Sequence, residues 1–269
     1  ELGGQLLRVY NPIENHLGVE AENGRRLRDV FIKQIEKRKF SLLLSSRLRE
    51  VDLVKKTVLL ETGEIFTGKS IIIATGVRRR KLNVEGEDKF KDKGIIESGK
   101  RDWQFVKNKN AAVVGGGDAA FENALILAGA AKSVTLIHRG ENFRARAEFA
   151  EQVLSNPKIK VFTGTAVRKI IGDERIRTIR LENPQTAETF DLPIDALLIR
   201  VGVEPNTELF GGQINLDDNG YIKIDGCGET SNEGVFAAGD AANPIAPTVS
   251  GAVGMGATAV KAIFSQLNL

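Results

Sequence analysis

The sequence predicts an α/β protein, and three observations carry that expectation. Residues 111–137 run as apolar strand, glycine-rich turn, helical pattern and second apolar strand. Other short apolar runs close on glycine in the same way, among them SIIIATG at 70–76 and GVFAAGD at 234–240. The 269 residues include 42% hydrophobic residues and 28 glycines, enough for a packed core with many tight turns in one large or two modest domains.

The first observation is the most specific. Ala111-Ala112-Val113-Val114 meets Gly115-x-Gly117-x-x-Ala120, then Phe121, Ala124, Leu125, Leu127 and Ala128 recur at helical spacing before Val134-Thr135-Leu136-Ile137. This is the βαβ order that grips a dinucleotide. Gly115 permits the sharp turn, Gly117 lets backbone approach a pyrophosphate, and the small Ala120 lets helix and strand pack closely. The helix start at Asp118 and Ala119 offers unpaired N–H groups and a favourable dipole. A glycine-rich turn in an ordinary βαβ unit is the alternative. At the end of the second strand a carboxylate would favour NAD, whereas arginine favours the extra phosphate of NADP(H). Here stand His138-Arg139, then Arg144 and Arg146. Arginine suits phosphate through its paired donors. Glu141 among them leaves a solvated basic loop as the other reading.

The remaining elements follow in chain order. Residues 1–18 are turn-rich. Leu27, Val30, Phe31 and Ile35 predict a helix over 25–39 with a basic outer face. Short strands alternate with turns from 47 to 76, and the charged stretch from Arg78 to Lys93 reads as a crossing between domains. A helix is expected near 146–155 and strands near 158–163, 166–171, 175–182 and 194–201. A DDNG turn at 217–220 precedes an expected strand Tyr221–Ile224, and a helix from Val249 to Leu267 closes the chain. No internal repeat or low-complexity segment is evident.

Composition sets limits on function. A net charge of +3 demands neither nucleic acid nor membrane, and no run of 18 apolar residues exists to span a bilayer. The single cysteine, Cys227, precludes an internal disulfide and fits a reducing compartment, read as cytoplasmic in the absence of a signal-peptide pattern. Glu1 in place of methionine predicts an upstream segment in the native gene product.

With these segments in place, the chain resembles the low-molecular-weight thioredoxin reductase family of flavoproteins. The resemblance rests on Gly3-Gly4-Gln5-Leu6, Asn15-x-x-Gly18, Ala74-Thr75-Gly76, GGGDAA, HRxxxFRA, GxxPNT and GVFAAGD in that order. It implies two Rossmann-like dinucleotide-binding domains, with an NAD(P)H domain (81–206) inserted into a discontinuous FAD domain (1–80 and 207–269) that lacks its first βα unit here. The crossings would lie near Arg78–Leu82 and Val203–Thr207. By the same resemblance Gly4, Gln5 and Asn15 face the flavin ring, Thr75, Gly76 and Gly239 belong to the cofactor site, and Asp240 holds the ribityl chain. The last helix would aim its N-terminus, at Thr248-Val249, toward the pyrimidine edge, where a positive dipole end stabilises the reduced anionic ring. For Asp240 a helix or turn cap is the other reading. FAD and NADP(H) are the implied cofactors, and a homodimer is expected.

Three departures shape the functional expectation. The Lys93-Gly94 register places Ser98-Gly99-Lys100-Arg101-Asp102 on the family's Cys-x-x-Cys-Asp segment, and neither Ser98 nor Arg101 can shuttle two electrons. Asp102 keeps the acid's position, either as a proton source at the flavin or as part of a surface turn. Cys227 has no second cysteine to join it. The FAD-gripping GxGxxG strand is absent ahead of Gly3, so it is expected upstream, and the 269 residues alone are expected to hold FAD weakly. Where the family has Arg-Gln near the flavin, Pro247-Thr248 stands here.

The expected activity is therefore an NAD(P)H-dependent flavoprotein oxidoreductase passing hydride from NADPH to FAD and on to an external acceptor without an internal disulfide, in the manner of ferredoxin–NADP reductases or NAD(P)H oxidases. The acceptor would be a small molecule (dioxygen, a quinone, a small disulfide) or an acidic redox carrier protein. The run Arg78-Arg79-Arg80-Lys81 either steers such a carrier or forms a solvated hinge. The alternative function is a non-catalytic NADP(H)-binding sensor or scaffold.

Overall fold

The computed structural model describes residues 1–268. The chain divides into two compact units, Arg79–Val203 forming one and Glu1–Arg78 with the chain from Glu204 onward forming the other.

The elements in chain order are α1 (Gly24–Ile35), β1 (Leu48–Asp52), β2 (Thr57–Leu60), β3 (Ile65–Thr67), β4 (Ile71–Ile73), β5 (Val77–Arg79), β6 (Ile95–Ile96), β7 (Asn110–Val114), α2 (Asp118–Ala128), β8 (Ser133–Ile137), α3 (Ala147–Ser155), β9 (Ile159–Phe162), β10 (Ala166–Gly172), β11 (Ile176–Glu182), β12 (Thr189–Pro193), β13 (Ala196–Ile199), β14 (Val203–Pro205), β15 (Val235–Ala237) and α4 (Val249–Gln266). The strands β5 and β14, which carry the chain between the units, pair with each other as a two-stranded ribbon.

In the inserted unit, β6-β13-β7-β8-β9 form a wholly parallel sheet. Its central strands are mostly apolar because both faces are covered, while the edge strand β9 carries the exposed Lys160. Alternate residues divide between two cores. Ala111 and Val113, Val134 and Leu136, and Ala196 and Leu198 pack against α2 and α3 through Phe121, Ala124, Leu127 and Val153. Ala112, Val114, Ile137 and Leu197 face the other way, onto Val167, Ile170, Ile176, Ile179 and Leu181. The latter belong to the antiparallel sheet β10-β11-β12. The stretch read as a bare crossing joins this second core. Phe90 is 1% exposed there, with Leu82 and Val84 beside it, so its apolar side chains prevail over its many charges.

The strand β12 was not foreseen, because its residues are largely exposed and lack the alternation of a half-buried strand.

In the flanking unit, Asn23 caps α1 by accepting the Arg26 N–H, and β1-β2-β3 form an antiparallel meander. The pair β4–β15 is parallel, joining Ile71, Ile72 and Ile73 to Val235, Phe236 and Ala237. Their core gathers Val51, Leu53, Ile73, Phe210, Ile214, Ile222, Val235, Ala237 and Ala241. The expected strand Tyr221–Ile224 reduces to a single bridge between Leu216 and Ile222. Asp217 explains this: its carboxylate accepts the N–H groups of Asn219 and Tyr221, and that local turn competes with a ladder.

Candidate functional site

The parallel sheet of the inserted unit presents a crevice by its topology. After β7 the chain leaves through α2 toward β8, whereas β13 lies on the opposite side of β7. The two strands thus meet at a switch point, and ligands of open α/β sheets bind outside the carboxyl ends of strands there. Four loops follow one another along this edge: 138–146 after β8, Gly115–Gly117 after β7, Arg200 after β13, and 97–102 after β6.

Gly115 has φ 151°, and a Cβ there would lie 2.2 Å from the Arg200 carbonyl oxygen and 2.9 Å from Ala120 Cβ. Only glycine lets the turn come this close. Gly117 caps α2 from an extended conformation, with open space where its side chain would be, so the N–H groups of the first helical turn face outward beside Asp118 and Ala119.

The basic loop folds back onto this turn. The Gly116 carbonyl accepts the N–H groups of Arg144 (2.7 Å) and Ala145 (3.1 Å), and Arg146 pairs with Asp118 at 2.9 Å. The His138 ring lies over Gly116, where a Cβ would meet it at 2.3 Å, and its Nε2 is 3.0 Å from the Asn142 carbonyl. The spacing of the motif had left Gly116 as a free position. With the ring in this place a side chain at Gly116 would have to displace His138. Arg139 and Arg144 are exposed, and among the described residues neither guanidinium is tied to a carboxylate. Asp118, by contrast, is engaged by Arg146 through both backbone and side chain.

The 97–102 turn is fixed from several sides. Asp102 accepts the Glu97 and Ser98 N–H groups (2.7 and 3.0 Å) and the Arg101 Nε at 2.8 Å. Ser98 is buried at 7% exposure and accepts the Lys100 N–H, while the Gly99 N–H reaches Asn123 on α2 at 2.8 Å. Asp102 is thus the cap of a turn, which is the simpler of its two readings. Cys227 is exposed in a loop of the flanking unit, its N–H bonded to Asp225.

Two further residues join this edge: Arg200, not singled out by the sequence, and Arg79, named there only as part of the basic run. Arg200 donates to the carbonyls of Ile199 and Glu97, and Arg79 donates to the same Glu97 carbonyl at 2.8 Å. Burial first, and then the neighbouring Arg79, lower the Arg200 guanidinium to about 10, against the opposing pull of Glu97, Glu122 and Asp102. The signal in the sequence was the lone charge closing the buried run ALLIR.

The four residues of the basic run are all engaged. Arg78 pairs with Glu204 and Glu208, Arg79 with Glu97, and Lys81 with Asp88, while Arg80 donates to the Val203 carbonyl. The charges of the run are thus met within the chain.

In the flanking unit, Gln5 donates to the Val77 carbonyl at 2.6 Å, and Gly4 and Asn15 are exposed. Thr75 and Gly76 are laced to Asn206: Thr75 Oγ1 donates to its carbonyl, the Thr75 carbonyl accepts its side-chain amide, and the Gly76 carbonyl accepts its N–H. Gly239, at φ 71°, turns the chain after β15 into Asp240, whose carboxyl is pushed up by burial. The Thr248 hydroxyl caps α4 by accepting the Gly251 N–H at 3.1 Å, leaving the N–H groups near Val249 at the helix mouth. A desolvated carboxylate and a capped helix start suit a polyol and an anionic ring edge, and the Gly115 cradle suits a pyrophosphate. The residues present suit a nicotinamide dinucleotide in the inserted unit and the ring and ribityl end of FAD in the flanking unit.

Among the described residues, no group of three or more His, Cys, Asp or Glu residues is arranged to hold a metal ion, and no helix is long and apolar enough to cross a membrane.

Comparison with known proteins gives the same picture. The chain is 39% identical over 186 residues to a thioredoxin reductase of Streptomyces coelicolor, covering 69% of this chain and 58% of that protein's length. It is 34% identical over 273 residues to a thioredoxin reductase of Rickettsia felis, covering 99% of this chain and 87% of the relative. The crystal structure of Lactococcus lactis thioredoxin reductase in its FR conformation superposes with a TM-score of 0.82 at 29% identity, covering 98% of this chain and 87% of that one. Residues 6–256 match the family model of pyridine nucleotide-disulphide oxidoreductases, enzymes that work with FAD and a nicotinamide nucleotide. The chain belongs to the pyridine nucleotide-disulphide oxidoreductase family and, within it, is thioredoxin reductase-like.

Proposed function

We propose that this oxidoreductase draws on NADPH and delivers electrons through FAD to an external acceptor, with no internal dithiol step. The observation that carries the reading is the order along one sheet edge: two uncommitted arginines, a glycine cradle, and a 97–102 turn built on Ser98 and Arg101. When bound, the two cofactors supply the hydride exchange. The chain's own residues bind and orient. The Asp118 and Ala119 N–H groups receive the pyrophosphate at the α2 start, with Gly115 and Gly117 keeping side chains out of its way. Arg139 and Arg144 take the 2′-phosphate through charge-assisted bonds, with His138 bracing the loop. In the flanking unit Gly4, Gln5 and Asn15 line the ring, Thr75, Gly76 and Gly239 shape the cofactor wall, and Asp240 holds the ribityl hydroxyls. The α4 start at Thr248 and Val249 favours negative charge on the ring.

Ser98 and Arg101 cannot form or break a disulfide, and Cys227 lacks a partner. The acceptor is therefore reduced directly at the flavin. A small molecule is favoured over an acidic carrier, because the basic run is already engaged. A homodimer in the cytoplasm remains part of the proposal.

The test is spectroscopic. With an upstream GxGxxG strand restored ahead of Gly3, the chain reconstituted with FAD should be yellow and bleach on anaerobic addition of NADPH, whereas the 269 residues alone should hold FAD weakly. Neither the restored chain nor its Cys227→Ser variant should reduce a thioredoxin. A restored chain that binds NADPH but stays colourless after reconstitution would support the sensor function and end the oxidoreductase proposal.

A further inference from the structure

Arg200 is a largely buried cation whose hydrogen bonds go to two backbone carbonyls, of Ile199 and Glu97. Among the described residues it makes no ion pair with a carboxylate. Of the nearby acids, Asp102 is bonded to Arg101 and two N–H groups and Glu97 to Arg79, while Glu122 acts on Arg200 through the field without an ion pair to it. Arg79 adds a second positive charge, since both guanidiniums donate to one oxygen, the Glu97 carbonyl. Burying a charge without a directly bonded counter-ion is costly, and an arrangement that keeps one suits a bound anion.

The position of Arg200 says which anion. Along β13, Ala196 and Leu198 face α2, whereas Leu197 and Ile199 face the antiparallel sheet. Continuing the alternation sends the Arg200 side chain to the α2 face, in agreement with its electrostatic coupling to Glu122 on that helix. Its N–H extends the ladder to the Val114 carbonyl, and its own carbonyl touches Gly115. Arg200 thus stands one strand, roughly 4.8 Å, from the glycine cradle and on the same face as the α2 N-terminus. The loop bearing Arg139 and Arg144 lies on the opposite side of that cradle, after β8.

We propose that Arg200, backed by Arg79, receives the second phosphate of the dinucleotide, the one on the nicotinamide side. This rests on the reading that the inserted unit binds NADP(H). A dinucleotide laid across the edge meets Arg139 and Arg144 with its 2′-phosphate, the α2 start with its adenosine-side phosphate, and Arg200 with the next phosphate. Arg200 is then a binding residue that sets the direction of the dinucleotide, with its redox end toward the 97–102 turn.

Three ligands separate these contacts by calorimetric titration of the full chain. Adenosine 2′,5′-bisphosphate carries the 2′-phosphate and one backbone phosphate. 2′-Phospho-ADP-ribose adds the second phosphate without nicotinamide, and NADPH adds the ring. In the parent, 2′-phospho-ADP-ribose should bind at least tenfold more tightly than the bisphosphate. Arg200→Met should remove that gain, weakening 2′-phospho-ADP-ribose and NADPH about tenfold or more and leaving the bisphosphate unchanged. Arg200→Lys, which keeps the charge, should recover most of the loss. Equal weakening of all three ligands, or weakening of NADPH alone, overturns the assignment. If Arg200→Met fails to fold, the parent decides: no gain from the second phosphate overturns it as well. Failure of the parent to bind even the bisphosphate defeats the nucleotide reading beneath it, a separate result.

Discussion

In Arg79–Val203 a five-stranded parallel sheet has both faces filled, one by α2 and α3 and the other by β10-β11-β12. In the flanking unit the parallel sheet is two strands, β4 and β15, and the largest core gathers nine buried residues against sixteen in the larger core of the inserted unit. Of the nineteen exposed large hydrophobic residues among the described ones, sixteen belong to the flanking unit and three, Trp103, Leu154 and Phe190, to the inserted one. Phe40, Leu42, Leu43 and Leu44 form one such run, at 56, 46, 57 and 51% exposure. The inserted unit completes its own packing, whereas the flanking unit leaves apolar side chains exposed. Contact density governs local stability, so the two should differ in how readily they open.

The widest gap is expected in core truncations. Leu197→Ala, in the centre of the inserted sheet, should cost about 2–5 kcal/mol. Ile72→Ala, at a position 38% exposed on β4, should cost about 1 kcal/mol or less. Urea unfolding followed by Trp103, the single tryptophan and a resident of the inserted unit, measures the first. Hydrogen exchange at β4 and β15 measures the second, and equal protection of β4 and β7 amides would erase the comparison.

A smaller effect tests binding in the inserted unit. Arg139→Ala and Arg144→Ala should each weaken NADPH by about 1.5–3 kcal/mol, the size of a hydrogen bond to a charged group, and leave NADH nearly unchanged. Titrating both nucleotides against both variants checks this.

Smaller again is the cap on the flavin side. Thr248→Ala should cost about 1 kcal/mol of helix stability by orphaning the Gly251 N–H. Exchange rates in the first turn of α4 report it.

The smallest effect is a pH dependence at Asp240. Burial raises its carboxyl above the usual value, so the folded unit holds the proton more tightly than the unfolded chain does. Its contribution to stability is full below the ordinary carboxylate range and is lost as pH rises through the raised value. Asp240→Asn should therefore slightly stabilise the flanking unit at neutral pH while weakening FAD retention, as seen in melting curves at pH 4 and 7 and in flavin released on gel filtration. A variant that melts lower at pH 7 would contradict the stated sign.

The same contrast governs what could be read from the sequence. The β7-α2-β8 unit was legible because apolar runs, glycines and helical spacing all coincide over residues 111–137. The strand β12 escaped because it is an exposed edge. The Tyr221–Ile224 run looked like a strand, but the Asp217 turn claims its first N–H. The stretch after Arg80 looked like linker since charges outnumber Leu82, Val84 and Phe90, which nevertheless reach the core. At the site, Gly115, Gly117 and the arginines stood out by spacing. Arg200 did not, and Arg79 stood out only as part of a basic run, because their meeting at the Glu97 carbonyl depends on β13 lying beside β6, a pairing that no local pattern encodes.

The central claim is that the inserted unit is a finished NADP(H) site. Calorimetric titration of the protein, before any flavin is added, with NADPH and NADH under identical salt tests it most directly. The expected result is one site that binds NADPH at least tenfold more tightly than NADH. Equal affinities, or no binding of either nucleotide, would contradict it.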